Sequence, residues 1–99
     1  MDCWGLVCAV AWMAGYSWAG GDYSTSSLAG VSSPIGIEDV QPGDISLKPG
    51  DHVRIVVGMN RNRTSIDFIA AEGTPTSKVV ILTKNIADLD GYSFRRLNP

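Results

Sequence analysis

The chain is poor in the residues that most often carry chemistry, with one histidine and two cysteines among 99 residues. Two cysteines are too few for a disulfide framework, and without a CxxC pair there is no zinc-site spacing. A metal centre would need scattered carboxylates, so neither a metal nor a cofactor is expected. Basic residues are scarce too: eight Lys and Arg against ten Asp and Glu leave a formal net charge of −2. This excludes sequence-independent nucleic-acid binding, which needs a dense field of Lys and Arg on one face. Arg61 with Arg63, and Arg95 with Arg96, read as a solvated turn and a polar strand end. Nor is there a hydrophobic run long enough to span a bilayer. The opening "MDCWGLVCAVAWMAG" is too short, and its first charge is Asp2 rather than the positive n-region of a secretion signal. No membrane insertion is expected.

What remains is ordinary globular material, 44% hydrophobic and 18% charged, read as a single domain over residues 1–99. Residues 3–14 suit a helix, with Asp2 as N-cap and Gly15 at the position that stops one. Trp4, Leu6, Val7, Val10, Trp12 and Met13 cover all its sides, which predicts a helix buried in the middle of the domain. On such a helix Cys3 and Cys8 lie about 140° and about 8 to 9 Å apart. That exceeds the disulfide reach of about 7 Å. The two thiols therefore need separate explanations, and Cys8, a turn deeper, is expected to be buried and inert. Residues 16–36 read as a Ser/Gly-rich loop with a short helix near residues 26–29, and Trp18 or Tyr23 as packing or a cleft wall.

Strand character follows in "DISL" (44–47), "HVRIVVGM" (52–59), "SIDFIAAE" (65–72), "KVVIL" (78–82) and "YSFRRL" (92–97). The expected fold class is α+β: one buried N-terminal helix packed on an antiparallel meander of about five strands.

Cys3 at a helix start sits beside free backbone N–H groups and the positive end of the helix dipole. Both favour the nucleophilic thiolate, and the same N–H groups can donate to an oxyanion. His52, opening a strand, suits a general base that takes the thiol proton and returns one to a leaving amine. Taken singly, a free cysteine is more often core filler, and a lone histidine structural. Their joint setting favours a nucleophile–base pair.

"DCWGLV", "QPGDI" and "DHVRIVVG", in this order, resemble the NlpC-type papain-like cell-wall cysteine peptidases. Asp2, Cys3, Gly5, Leu6 and Val7 match the first family block, Pro42, Gly43, Asp44 and Ile45 the second, and His52, Val53, Ile55, Val57 and Gly58 the third. The closing "GYSFRRL" resembles the family's last strand. The resemblance implies a thiol hydrolase that cuts an amide bond in peptidoglycan stem peptides through a Cys3 thioester, with His52 as base. It puts a third, orienting group on the next strand, where Glu72 is preferred over Asp67; Ala70 at that position would leave a dyad. Asp2, Trp4 and Asp51 are the implied substrate contacts, Asp2 for the free amine of the stem peptide. A secreted, periplasmic or phage-associated setting would follow. The CHAP-type amidases, with a glutamate after the histidine, are a neighbouring resemblance that Glu72 also suits.

The sequence departs from the NlpC pattern at Trp4, where the family has serine, and at Arg54, where it has glycine. The family's upstream segment is also missing before Met1, which reads as N-terminal truncation. These departures keep open a second reading, a catalytically impaired domain that binds peptide or serves as an assembly module. An uncovered apolar helix should self-associate, so the sequence predicts dimers or larger assemblies. Static light scattering at high concentration should return at least twice the monomer mass; a monomer would rule this out.

Overall fold

The computed structural model describes residues 6, 7, 10, 11, 13, 15, 16, 27–48, 50–72 and 78–98, Glu72 by its backbone only. Their core is a six-stranded antiparallel sheet: β1 (Ser32–Pro34), β2 (Ile45–Lys48), β3 (His52–Met59), β4 (Ser65–Glu72), β5 (Lys78–Asn85) and β6 (Ser93–Leu97). The spatial order is β1-β6-β2-β3-β4-β5, so the last strand returns between the first two. A short 3-10 turn at Ser27–Val31 leads into β1, and two more, at Ile37–Asp39 and Ile86–Asp88, lie between β1 and β2 and between β5 and β6.

This corrects the expected α+β architecture of one buried helix on a five-strand meander. The sheet has six strands, and the only helical elements delimited among the described residues are the 3-10 turns. Positions 6, 7, 10, 11 and 13 have helical backbone. They do not form the all-round buried face that composition suggested: Leu6, Val7 and Ala11 are buried, whereas Val10 is 42% and Met13 85% exposed. The described apolar residues of this stretch therefore divide between packed and solvent-exposed positions.

The sheet is central because its strands are apolar on both faces. Residues alternate sides along a strand, so Val53 and Ile55 of β3 lie on one face and Val56 on the other. The first face carries Ile45, Leu47, Val53, Ile55, Ala71 and Leu97, against which Leu6, Val7, Ala11 and Leu28 pack. The second carries Val56, Ile66 and Phe68, closed over by Val40, Leu89 and the partly buried Ile37 and Ile86 of two 3-10 turns. With both faces covered, successive residues are buried along β2 (45–47) and β3 (53–56) whichever side they face.

The β3 and β4 spans coincide with the residues that alternation marked in the sequence, while β5 runs three residues past its apolar run, to Asn85. A bulge interrupts the β3–β4 pairing: Val56 faces Phe68 but Gly58 faces Asp67, leaving Val57 as the extra residue. At Ser46 a hydroxyl is fully buried with no hydrogen-bond partner among the described residues.

Two substitutions test this packing by urea unfolding. Phe68→Ala is expected to cost about 3–5 kcal/mol, as for deletion of a large buried aromatic. Ser46→Ala removes an unpaired buried oxygen, so its unfolding midpoint should be unchanged or higher.

Candidate active site

Two turns of the same sequence type bracket β2. In "QPGD" the Asp44 N–H donates to Gln41 O at 3.1 Å, and Gly43 has φ +97°. Proline second and a positive-φ glycine third is the chemistry of a type II turn. In "KPGD" the Asp51 N–H donates to Lys48 O at 3.0 Å, and Gly50 has φ +78°. The two aspartates then diverge. Asp44 is buried, and its Oδ2 accepts from the Gln41 N–H at 2.7 Å. Its carboxylate also takes both forks of Arg96 on β6, Nε at 2.9 Å and Nη2 at 3.0 Å. Asp51 is exposed and pairs with Lys48 Nζ at 3.3 Å across its own turn.

The hydrogen bond to Asp44 raises the Arg96 guanidinium above its ordinary value, burial opposing. A cation held up in this way contributes fully through the neutral range, and the contribution is lost only as pH climbs past the raised value. The clamp is thus insensitive to pH from the arginine side.

The second turn delivers His52, half-buried, as the first residue of β3 and opposite Lys48 on β2. Alternation groups it with Arg54 and Val56, on the face away from Leu6, Val7 and Ala11. The same face holds a cationic cluster that the sequence reading missed. Arg54 is buried, with its guanidinium 5.0 Å from the Tyr92 ring centroid, and Lys48 Nζ lies 6.0 Å from that ring. Both fall within cation–π range. The available signal was Arg54 itself, a charge inside an otherwise apolar strand.

Glu72 ends β4, its backbone paired with Lys78 of β5. Continuing the register set by Ile55↔Ile69 and Val56↔Phe68 to the ends of the strands brings Glu72 opposite His52. Ala70 falls on the adjacent diagonal, buried and without polar atoms in its side chain. Asp67 is five residues from Glu72, about 17 Å along the strand at 3.4 Å per residue. It accepts from Thr83 Oγ1 at 2.6 Å, beside the far end of the hairpin. The β3–β4 pairing therefore brings His52 and Glu72 to one end of the sheet and separates Asp67 from them. Asp2, Cys3 and Trp4 lie outside the described residues, as does the Glu72 side chain. Among the described residues no three His, Cys, Asp or Glu side chains gather as a metal site, and no helix is long and apolar enough to cross a membrane.

No family model, curated protein sequence or solved structure matches this chain.

The Asp44 clamp separates into its parts by substitution. Asp44→Ala strands the Gln41 N–H and the Arg96 fork, and should cost about 1–3 kcal/mol in urea unfolding. Asp44→Asn keeps an oxygen for Gln41 and should lose distinctly less; equal losses would show that the turn hydrogen bond contributes nothing.

Proposed function

We propose that this protein is a cysteine-type hydrolase that cuts an amide bond in a peptide, with Cys3 as nucleophile, His52 as base and Glu72 as the group that orients the imidazole. The observation that carries this reading is the antiparallel β3–β4 pairing: His52 begins β3 and Glu72 ends β4 at the same end of the sheet. Extending the observed register from Ile55↔Ile69 by three residues sets the two positions opposite one another. A base and an orienter on adjacent strands are the fixed half of a nucleophile–base–orienter triad. Leu6 and Val7 share a buried cluster with Val53 and Ala71, on the face of the sheet opposite His52. Cys3, three residues before Leu6 and at most about 11 Å of chain from it, would therefore meet His52 around the end of the sheet where β3 begins and β4 ends.

In the proposed reaction His52 takes the Cys3 thiol proton and the sulfur attacks the amide carbon. The C–N bond then breaks, the amine leaves with the proton from the imidazolium, and a thioester remains. Water, losing a proton to His52, attacks the thioester; the C–S bond breaks, a carboxylate departs and the thiol is regained. The resemblance of "DCWGLV" and "DHVRIVVG" to NlpC-type peptidases makes a bacterial stem peptide the substrate class, with Asp2, Trp4 and Asp51 as candidate contacts. The second reading, a peptide-binding or assembly module without catalysis, draws support from the exposed apolar side chains of Val10 and Met13.

The alkylation rate of Cys3 against pH, read by mass spectrometry with Cys8 as internal control, tests the pair. Cys3 is expected to stay reactive well below the usual thiol value of about 8.5, and to lose that reactivity in His52→Ala. A Cys3 profile indistinguishable from an ordinary thiol would leave the binding-module reading in its place.

A further inference from the structure

At the opposite end of β3 from His52 lies a cavity of about 570 Å³, lined by Ile37, Arg63, Thr64, Asn85, Ile86 and Ala87. The volume is that of a small-molecule site, and the composition is of the same kind, an apolar wall with a few polar groups. The wall is Ile37, Ile86 and Ala87, brought together by the 3-10 turns at Ile37–Asp39 and Ile86–Asp88.

Arg63 is the charged group of this lining, and its state is unusual for a half-buried cation. It is held in the left-handed region at φ +56°, between the two strands of the β3–β4 hairpin. One nitrogen, Nη1, donates to Ile37 O at 3.1 Å and Val40 O at 2.9 Å and lies 2.9 Å from Met59 Sδ. All three partners are neutral, and among the described residues Nε and Nη2 have no hydrogen-bond partner and no carboxylate pairs with the guanidinium. The two arginines of β6 differ: Arg96 has Asp44, and Arg95 uses both Nε and Nη2 on Ser32 and Ala29. Two polar neighbours are also available. Asn85 makes no capping hydrogen bond to the turn that follows it, and Thr64 Oγ1 accepts from Asn60 Nδ2 at 2.7 Å. That leaves the Thr64 hydroxyl proton to donate elsewhere.

From these observations we propose that the cavity binds a small apolar molecule bearing a carboxylate, such as the C-terminal residue of a peptide. The carboxylate pairs with the Nε and Nη2 edge of Arg63, and the apolar part lies against Ile37, Ile86 and Ala87. The guanidinium fork matches a carboxylate in two parallel hydrogen bonds, and its charge is already fixed in place by the bonds of Nη1, so little ordering remains to be done on binding. Among the described residues no acidic side chain lines the cavity, which disfavours a cationic ligand. The site shares no residue with the proposed hydrolase centre and stands or falls independently of it.

Titration of the 15N-labelled chain with N-acetyl-leucine, and separately with its neutral amide, tests the proposal by NMR. The acid is expected to shift the backbone resonances of Thr64, Ile86 and Ala87 and to bind at least about tenfold more tightly than the amide, one charge-assisted hydrogen bond being worth that factor or more. Equal affinities, or shifts confined to other residues, would overturn it. Arg63→Gln should abolish the preference for the acid. Because Arg63 also ties down Ile37 and Val40, Ala87→Trp provides a second variant that fills the cavity and keeps the guanidinium. If the folded Ala87→Trp chain binds the acid undiminished, the site is elsewhere.

Discussion

The fold depends on one buried carboxylate. Asp44 has three tasks that would otherwise fall to separate residues: it accepts from the Gln41 N–H within its own turn, it ends the chain's approach to β2, and it fixes β6 through the Arg96 fork. The Val56 N–H donates to its backbone oxygen and the Gly43 N–H to Val56 O, both at 2.8 Å, so the turn is also tied to β3. Two consecutive strands, β2 and β3, and the distant β6 therefore meet at one residue. Arg96 extends the network by donating to Asp39 O at 2.8 Å, reaching the 3-10 turn that roofs the second face of the sheet. A charge so deeply placed is tolerable because each oxygen is occupied by a donor.

Much of the sheet was legible in the sequence. β3 and β4 follow from Val- and Ile-rich alternation bounded by "PGD" and "NRNR", since local pattern determines a hairpin whose register its own turn sets. What could not be read was the order of strands. Nothing in "YSFRRL" says that it returns to lie between β1 and β2; that placement rests on Arg95 and Arg96, whose partners are distant in sequence. In the sequence they read as a polar strand end, and both guanidinium groups are engaged, Arg95 with Ser32 at 2.7 Å among others. β1 was missed because three residues, "SSP", carry no alternation to detect. The N-terminal stretch misled in the opposite way: its apolar residues cover all sides, but among the described ones Leu6, Val7 and Ala11 are packed whereas Val10 and Met13 are exposed.

The candidate site shows the same division. His52 and Glu72 stand at the ends of two strands that are legible in the sequence, and the antiparallel pairing of those strands brings the two ends together. The aromatic centre of the cationic cluster was invisible, because Tyr92 comes from the turn before β6 and joins Lys48 and Arg54 only through the strand order. Identical "PGD" motifs also proved unequal. Asp44 is enclosed by β6 whereas Asp51 faces solvent, a difference determined by what packs over each turn rather than by the motif.

The bulge at Val57 gives β3 two phases. Up to Val56, even-numbered residues face the Tyr92 side; beyond the extra residue the parity inverts, and odd-numbered Met59, opposite Ile66, is returned to that side. Without this half-period slip Met59 would project from the other face, and Arg63 would lose the sulfur beside its Nη1. The strand thus works as a coupling between two differently timed halves. Its histidine end is set by the Lys48–Asp51 turn and its cavity end by the hairpin, and the bulge absorbs the one-residue difference between them.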